Sequence, residues 1–347
     1  MPVFTYRGHL EPDSPLFRGR GTELHQLSRL WQGPINAYGI VYGGRRTEKT
    51  SLLLRLATLV TTPMYVCFID CQERPRAVAA SLYDYIARRV AETIPGAIQP
   101  CVNDEGSLIS FLRLALKQAS ITRLILLIDE VGALPLDSRE RLANVVRSMF
   151  TQRSTTYPEL AKLLVVIAGG IELYDLAVTD VSTLQGVCEQ VYLPDLSEAE
   201  GISIVNDGLI DLGVLAETAI VLAQTVNTHT QGHPYLTQRL STFLEEAQGV
   251  HRVLTPLVVD HGIEAIMSDD VLLRHLYSGL RKWRLFTTAR RVLERPIRFS
   301  RVAGDTSRLE LLGLIRGTVG GHWCIRNPLL ERVLREWLDE ADSRAPT

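Results

Sequence analysis

Long hydrophobic runs are missing from this chain. One of its most aliphatic stretches, LLVVIAGG at 163–170, falls far short of the ~20 residues needed to cross a bilayer, so no membrane span is expected. The opening MPVFTYRGHLEPD lacks a basic-then-apolar leader, which predicts a cytoplasmic protein. Cysteine is sparse: five, an odd number and widely scattered, read as reduced thiols rather than a disulfide framework. Cys67 and Cys71 share a predicted strand with no second ligand pair nearby, which argues against a zinc site. Charge of one sign is absent too. The net charge is −2, so nothing global points to nucleic acid or membrane, and any charged patch must be local. What is present is ordinary for a globular protein: 347 residues, 46% hydrophobic and 22% charged, enough for two or three domains with sizeable cores.

The chain is organised around residues 35–60, INAYGIVYGGRRTEKTSLLLRLATLV. An apolar run ending in Ile40-Val41-Tyr42 predicts a buried strand. The loop Gly43-Gly44-Arg45-Arg46-Thr47-Glu48 follows, and Lys49-Thr50-Ser51 opens a leucine-rich helix. Strand, glycine-containing loop and helix beginning Lys-Thr/Ser form the arrangement that cradles phosphates. Loop amides and the positive end of the helix can both point at an anion. Lys49 would reach the outer phosphates and Thr50 would help hold magnesium. One glycine is lacking: the pattern G-x-x-x-x-G-K-[ST] requires it where this chain has Glu48. The alternative is a basic, glycine-containing turn of some other α/β protein. Just upstream, Phe17-Arg18-Gly19-Arg20 predicts a turn before an amphipathic helix carrying Leu24, Leu27 and Leu30, either a plain helix-entry loop or an edge of the nucleotide site.

Further strands are predicted at 64–70, 124–128, 163–168 and 190–193, with helices between them at about 77–92 and 107–119. Asp137 with Glu140 reads as a capping pair for a helix whose apolar face is Leu142, Val145, Val146 and Met149. Alternation over this stretch predicts a parallel sheet flanked by helices, with ligands at the carboxyl ends of its strands. The aliphatic run at 124–128 delivers Asp129 and Glu130 there. Asp129 suits magnesium, and Glu130 suits orienting or deprotonating an attacking water.

From 197 the pattern becomes helical: 197–208, 216–229, 234–247 and 255–268, with Gly232 closing one helix and Pro234 entering the next. That explains the glycine and the proline but not His233. The last stretch reads as helices at 271–280, 285–294 and about 305–312, a hairpin turning at 319–321 and a closing helix at 328–338: a winged-helix module. Residues 271–301 hold nine basic side chains, Glu294 being the only acid, which suits a phosphate-binding face or a solvated, protein-docking one. Asp305 and Glu310 on the helix that would read bases argue against base recognition.

FRGRGTEL, YGGRRTEKTSLL, LLIDEV, VVIAGG, LSEAE and TQGHPYLTQ occur in family order over about residues 14–340. On these stretches the chain resembles the AAA-like ATPases of the STAND class, signal-transducing P-loop proteins of bacteria and archaea. These are similar in turn to archaeal ATPases related to replication-initiation proteins. The resemblance implies a nucleotide-binding domain at 1–195, an all-α lid at 196–269 and a winged-helix domain at 270–347, closed around ATP or ADP. It places Phe17, Gly19 and Arg20 near base and ribose. It gives Gly43, Lys49, Thr50 and Ser51 to phosphates and magnesium, with Gly44, Arg45, Arg46, Thr47 and Glu48 completing the loop. Asp129 and Glu130 become the magnesium and water residues, and Gly232, His233 and Pro234 the lid's contact. The strand ending Ala168-Gly169-Gly170 lacks the polar side chain that many relatives use to sense the γ-phosphate. Three readings follow. One is a nucleotide-controlled switch, with possible self-assembly, whose partner acts in trans because no effector is fused to it. Another is a DNA-associated ATPase using residues 271–301, and the third a scaffold that no longer binds nucleotide. Arg147 and Arg153 are the candidates for an arginine finger.

Overall fold

The computed structural model describes residues 3–73, 82–96, 99–118, 120–173, 176, 182–251, 253–301 and 304–343. By their contacts these form two compact units: a sheet unit of 20–43 and 49–193, and a helical unit of 1–19, 44–48 and 194–347.

All five predicted strands form one parallel sheet: β1 (Tyr38–Tyr42), β2 (Met64–Asp70), β3 (Arg123–Asp129), β4 (Leu163–Gly169) and β5 (Cys188–Tyr192), in the order β2-β3-β4-β1-β5. β1 and β4 are buried along their whole length, as expected of central parallel strands covered by helices. Flanking them are α1 (Gly21–Gln32), α2 (Lys49–Thr58), α3 (Leu82–Thr93), α4 (Glu105–Leu116) and α5 (Leu136–Gln152). The part of the predicted 77–92 helix at 77–81 lies outside the described residues. Register brings the strand ends level: Asp70 pairs with Asp129, and Tyr42 lies between Gly169 and Tyr192.

Two local expectations change. Asp137 does not cap α5; Pro135 holds the N-cap position, and Asp137 pairs with Arg141 at 3.4 Å on the exposed side. The proline already satisfies the entry geometry, leaving the carboxylate free for its i,i+4 neighbour. The predicted face Leu142, Val145, Val146 and Met149 is buried as expected.

The helical unit comprises α6 (Glu198–Asp211), α7 (Ala216–Thr230), α8 (Pro234–Gly249), α9 (Pro256–Ser268), α10 (Val271–Lys282), α11 (Phe286–Glu294), α12 (Gly304–Leu312) and α13 (Pro328–Ser343). Ser197 and Glu200 cap α6 reciprocally, the signature visible in LSEAE. Its wing has three antiparallel strands rather than two. β7 (Ile315–Gly317) and β8 (His322–Ile325) make the predicted hairpin, and β6 (Ile297–Arg298) adds to the other edge of β8. Two residues are too short to announce a strand in sequence. The architecture is thus a P-loop-type parallel sheet flanked by helices, followed by a helical lid and a winged helix. No helix among the described residues is long and apolar enough to cross a membrane.

Candidate functional site

β1 ends at Tyr42, and Lys49 begins α2. Lys49 is largely buried, and its Nζ donates to the Gly43 carbonyl at 3.3 Å. Thr50 Oγ1 donates to Asp129 Oδ2 at 2.6 Å, joining the first turn of α2 to the end of β3. The other Asp129 oxygen accepts from the Glu130 amide at 2.9 Å. Burial raises the Asp129 pKa, and the neighbouring Glu130 charge adds to the rise; the Thr50 hydroxyl and Lys49 pull it down. The Asp129 carboxylate and the Thr50 hydroxyl are oxygen ligands of the kind that a hydrated divalent cation takes, and the Lys49 ammonium is suited to an anion instead. Ser51, the next residue, is buried.

The loop itself, 44–48, is strained. Arg46 has φ +59° and Glu48 φ +67°. Left-handed backbone costs a residue with a Cβ about 1–2 kcal/mol, and glycine little. Glu48 therefore keeps the conformation for which the missing glycine is normally chosen. Thr47 stabilises the turn by donating to the Gly44 carbonyl at 2.8 Å and is fully buried.

Within the helical unit the loop has close neighbours. Arg326 Nη1 lies 2.7 Å and the Gly313 Cα 3.1 Å from where a Cβ on Gly44 would sit, so a larger residue there would have to displace the guanidinium. Arg326 is itself held by Asp195, its Nε donating at 2.8 Å in a two-pronged pair, and its NH1 donates to the Gly313 carbonyl at 3.3 Å. The guanidinium keeps Asp195 below the usual carboxylate range although the acid is buried. Arg46 stacks on Tyr235, guanidinium carbon to ring centroid 4.3 Å, and donates to the Tyr6 carbonyl at 3.3 Å. Its charge goes to the ring and the carbonyl rather than to Glu48.

His233 is the N-cap of α8. Its Nδ1 accepts from the Leu236 amide at 3.5 Å, and the residue is 0% exposed. Burial, with the nearby Arg326 charge, lowers its pKa to about 3, so it is neutral near pH 7. With Nδ1 accepting, Nε2 carries the hydrogen, and that buried donor has no partner among the described residues. The glycine before it is fixed by packing: a Cβ on Gly232 would meet the Leu196 carbonyl oxygen at 2.1 Å. Pro234 takes the first helical position.

The upstream turn is built for a neighbour as well. Arg18 pairs with Asp207 at 2.6 Å, and a Cβ on Gly19 would collide with the Glu200 carboxylate at 2.4 Å. Phe17 is half-buried, with its amide on the Ser14 carbonyl at 3.0 Å, while Arg20 is buried at the start of α1 with φ +65°. Glu130 is half-buried at φ +50°. Seven described non-glycine residues have positive φ; Arg20, Arg46, Glu48 and Glu130 are four of them, and Gln231 beside Gly232 is a fifth.

No protein-family model matches this chain, and no curated protein matches it in sequence. Solved structures do match along nearly its whole length. Cdc6p from Pyrobaculum aerophilum is similar at 15% identity, TM-score 0.53, over 98% of both chains. The Aeropyrum pernix ORC2 protein in its ADP form is similar at 12% identity, TM-score 0.55, over 99% of this chain and 98% of that one. The same protein in ADPNP–ADP complexes gives 12% and 0.53 over 97% and 98%. The fold is that of the Cdc6 and ORC initiators. These likenesses carry the fold and not the STAND class.

Against that fold other residues find their places. A Cβ on Gly169 at the end of β4 would lie 2.9 Å from Leu173, so an apolar side chain covers the strand end that bears no polar group. Arg147 NH1 bridges the Thr183 and Gln185 carbonyls at 2.8 and 3.2 Å, and Arg153 lies 3.6 Å over the Phe150 ring. Among the basic residues of 271–301, Arg274 pairs with Asp269, Arg290 with Asp342 and Arg301 with Glu310, leaving Arg281, Lys282, Arg284, Arg291, Arg295 and Arg298 exposed. Glu310 is buried against Arg301, whereas Asp305 accepts from Thr288 at 3.3 Å and stays exposed, so only one of the two acids expected to oppose base reading is turned inward. Sequence reasoning did not select Arg326, Asp195 or Tyr235. Tyr235 was within reach, directly after His233-Pro234; Arg326 and Asp195 lie 131 positions apart and carry no local signal.

Proposed function

We propose that this protein is an ATP- and ADP-binding switch built on the initiator-like P-loop fold, with weak or absent hydrolysis, that engages a partner in trans. The observation that carries the reading is Thr50 bonded to Asp129 at 2.6 Å beside buried Lys49, at the carboxyl ends of a parallel sheet. These residues fit a nucleotide with magnesium. Lys49 would face its phosphates, and Thr50 and Asp129 would hold the ion. When bound, magnesium neutralises phosphate charge; the chain's own Glu130 would orient water. Phe17, Gly19 and Arg20 are proposed for the base and ribose. The domain limits 1–195, 196–269 and 270–347 belong to the same proposal.

Weak turnover rests on two features. Glu48 puts a carboxylate in the loop, where about 4 Å from a phosphate charge it opposes binding by on the order of 4 kcal/mol at an effective dielectric near 20. Leu173 occupies the end of β4, where no polar group is offered. Calorimetric titration with ATP and magnesium tests the proposal. Saturable binding that Lys49→Ala abolishes supports it, and no heat at millimolar ATP refutes it.

A second reading, DNA association, is favoured by exposed Arg291, Arg295 and Arg298 on and after α11, beside the three-stranded wing. Wild-type binding to duplex DNA that falls by orders of magnitude between about 50 and 200 mM salt would support it.

A further inference from the structure

We propose that Tyr235 is a positioning residue for the phosphate loop, acting through Arg46. The inference rests on the reading that this loop holds nucleotide phosphates, and it adds how the loop is kept in shape.

Both ends of the Tyr235 side chain are fixed. Its hydroxyl donates to the Asp270 carboxylate, 3.0 and 2.9 Å from the two oxygens, and that carboxylate is buried because it caps α10, accepting from the Leu272 amide at 2.7 Å. Its ring meets the Tyr6 ring edge-on with centroids 6.0 Å apart. Onto this immobile face Arg46 lays its guanidinium at 4.3 Å, with a hydrogen bond to the Tyr6 carbonyl as a second anchor. A planar guanidinium over a held phenol ring is attracted by the ring's electron density and loses little freedom in stacking.

The anchored residue is the one that needs anchoring. Arg46 and Glu48 both have positive φ, and a loop with two such residues and no glycine between them relaxes unless its surroundings over-determine it. Thr47, between them, is locked by its bond to Gly44. Arg46 thus converts the fixed position of Tyr235 on α8 into a fixed curl of the loop, and its charge is spent on the ring and a carbonyl rather than reaching for a phosphate.

The test uses the full chain, with a fluorescent ADP analogue plus magnesium as the probe, and amide hydrogen exchange over 43–50 without nucleotide as the second readout. Arg46→Ala and Tyr235→Leu are each expected to weaken binding by roughly fivefold to tenfold. The double variant is expected to be no worse than either single, and each single should speed exchange in the loop. Tyr235→Phe keeps the ring, so it should hold affinity within about twofold while losing the Asp270 bond and some thermal stability. Loss in Arg46→Ala but not in Tyr235→Leu would mean that Arg46 touches phosphate directly, and would overturn the proposal. So would additive losses, or Tyr235→Phe being as damaging as Tyr235→Leu. Should Tyr235→Leu fail to fold, Arg46→Lys decides: lysine can reach a phosphate as a point charge but cannot stack as a planar fork. Affinity retained in lysine refutes the tether, and affinity lost in it supports the tether. If the wild type binds no ADP, the nucleotide reading has failed, and exchange alone judges the tether: faster loop exchange in both singles supports it, unchanged exchange overturns it.

Discussion

Residues 44–48 and the pair Lys49-Thr50 are neighbours in sequence, yet they are held by different means. Lys49 and Thr50 open a regular helix and are tied to Gly43 and Asp129 by hydrogen bonds to the ends of buried strands. The five residues before them include two with left-handed backbone, Arg46 and Glu48, and belong by contact to the helical unit, through Tyr235, Arg326 and Gly313. The Lys49-Thr50 pair is set by secondary structure, and residues 44–48 by long-range side-chain contacts. Changes in the first should therefore remove binding outright, and changes in the second should tune it.

The largest effect is expected at Asp129. Asp129→Ala should weaken magnesium-dependent nucleotide binding by on the order of 100-fold, while Glu130→Gln leaves binding intact and stops any turnover. Calorimetry and phosphate release separate the two; equal loss of binding in both would make the pair structural and end the assignment of Glu130. The raised pKa of Asp129 adds a sign. Its folded value lies above its unfolded one, so without metal the group opposes folding once pH has risen through both. Asp129→Asn should then raise the melting temperature of the nucleotide-free protein near pH 7 and leave it unchanged near pH 3.

Glu48 sharpens the contrast from the other side. Glu48→Gly removes both the left-handed strain and the carboxylate. It should tighten ATP binding at least about tenfold and raise the melting temperature by about 2–4 °C per kcal/mol of strain relieved. Glu48→Gln should recover only the electrostatic part and no melting temperature. Micromolar ATP affinity in the wild type, unchanged by Glu48→Gly, would mean the side chain points away from the phosphates.

A smaller effect is expected at His233, in the helical unit. Its folded pKa of about 3 lies far below the unfolded value, so the unfolded chain binds the extra proton between pH 6.5 and 3. The stability that the buried neutral ring contributes is present above about pH 6.5 and is lost as pH falls toward 3. His233→Gln should flatten acid unfolding in that window, monitored by circular dichroism. The least effect on nucleotide should come from the basic stretch after α11. Arg290 is engaged with Asp342, so Arg291, Arg295 and Arg298 changed to Glu are the discriminating set. They should leave ATP affinity unaltered and abolish any DNA shift; no shift by the wild type at low salt closes the DNA reading.

The same division explains what could be read in sequence. The five strands, the helix opening at Lys49 and the aspartate after an aliphatic run all announce themselves by local pattern, and all are found. So is the LSEAE cap. What sequence did not show lies where distant residues decide: Arg326 against Gly44, Tyr235 under Arg46, Glu310 turned inward by Arg301. Glycines were legible as glycines but not in purpose. Gly19 suggested a nucleotide edge, and its immediate neighbour is the Glu200 carboxylate. The short β6 and the Pro135 entry to α5 were missed because two residues carry no period and Asp137 finds its i,i+4 partner Arg141 instead of a cap.

Asp195 and Arg326 have a bearing on how the molecule is made. During synthesis the sheet unit is complete once residue 193 has emerged, and it can fold then as a block. Asp195 comes next but waits for a partner 131 residues later. The N-terminal segment waits as well, since the amides of Val3 and Phe4 end on Glu245. Loop 44–48, although made early, takes neighbours from residues as late as 235, 313 and 326. A ribosome-bound chain would therefore carry a formed sheet before residue 326 had emerged to pack against Gly44.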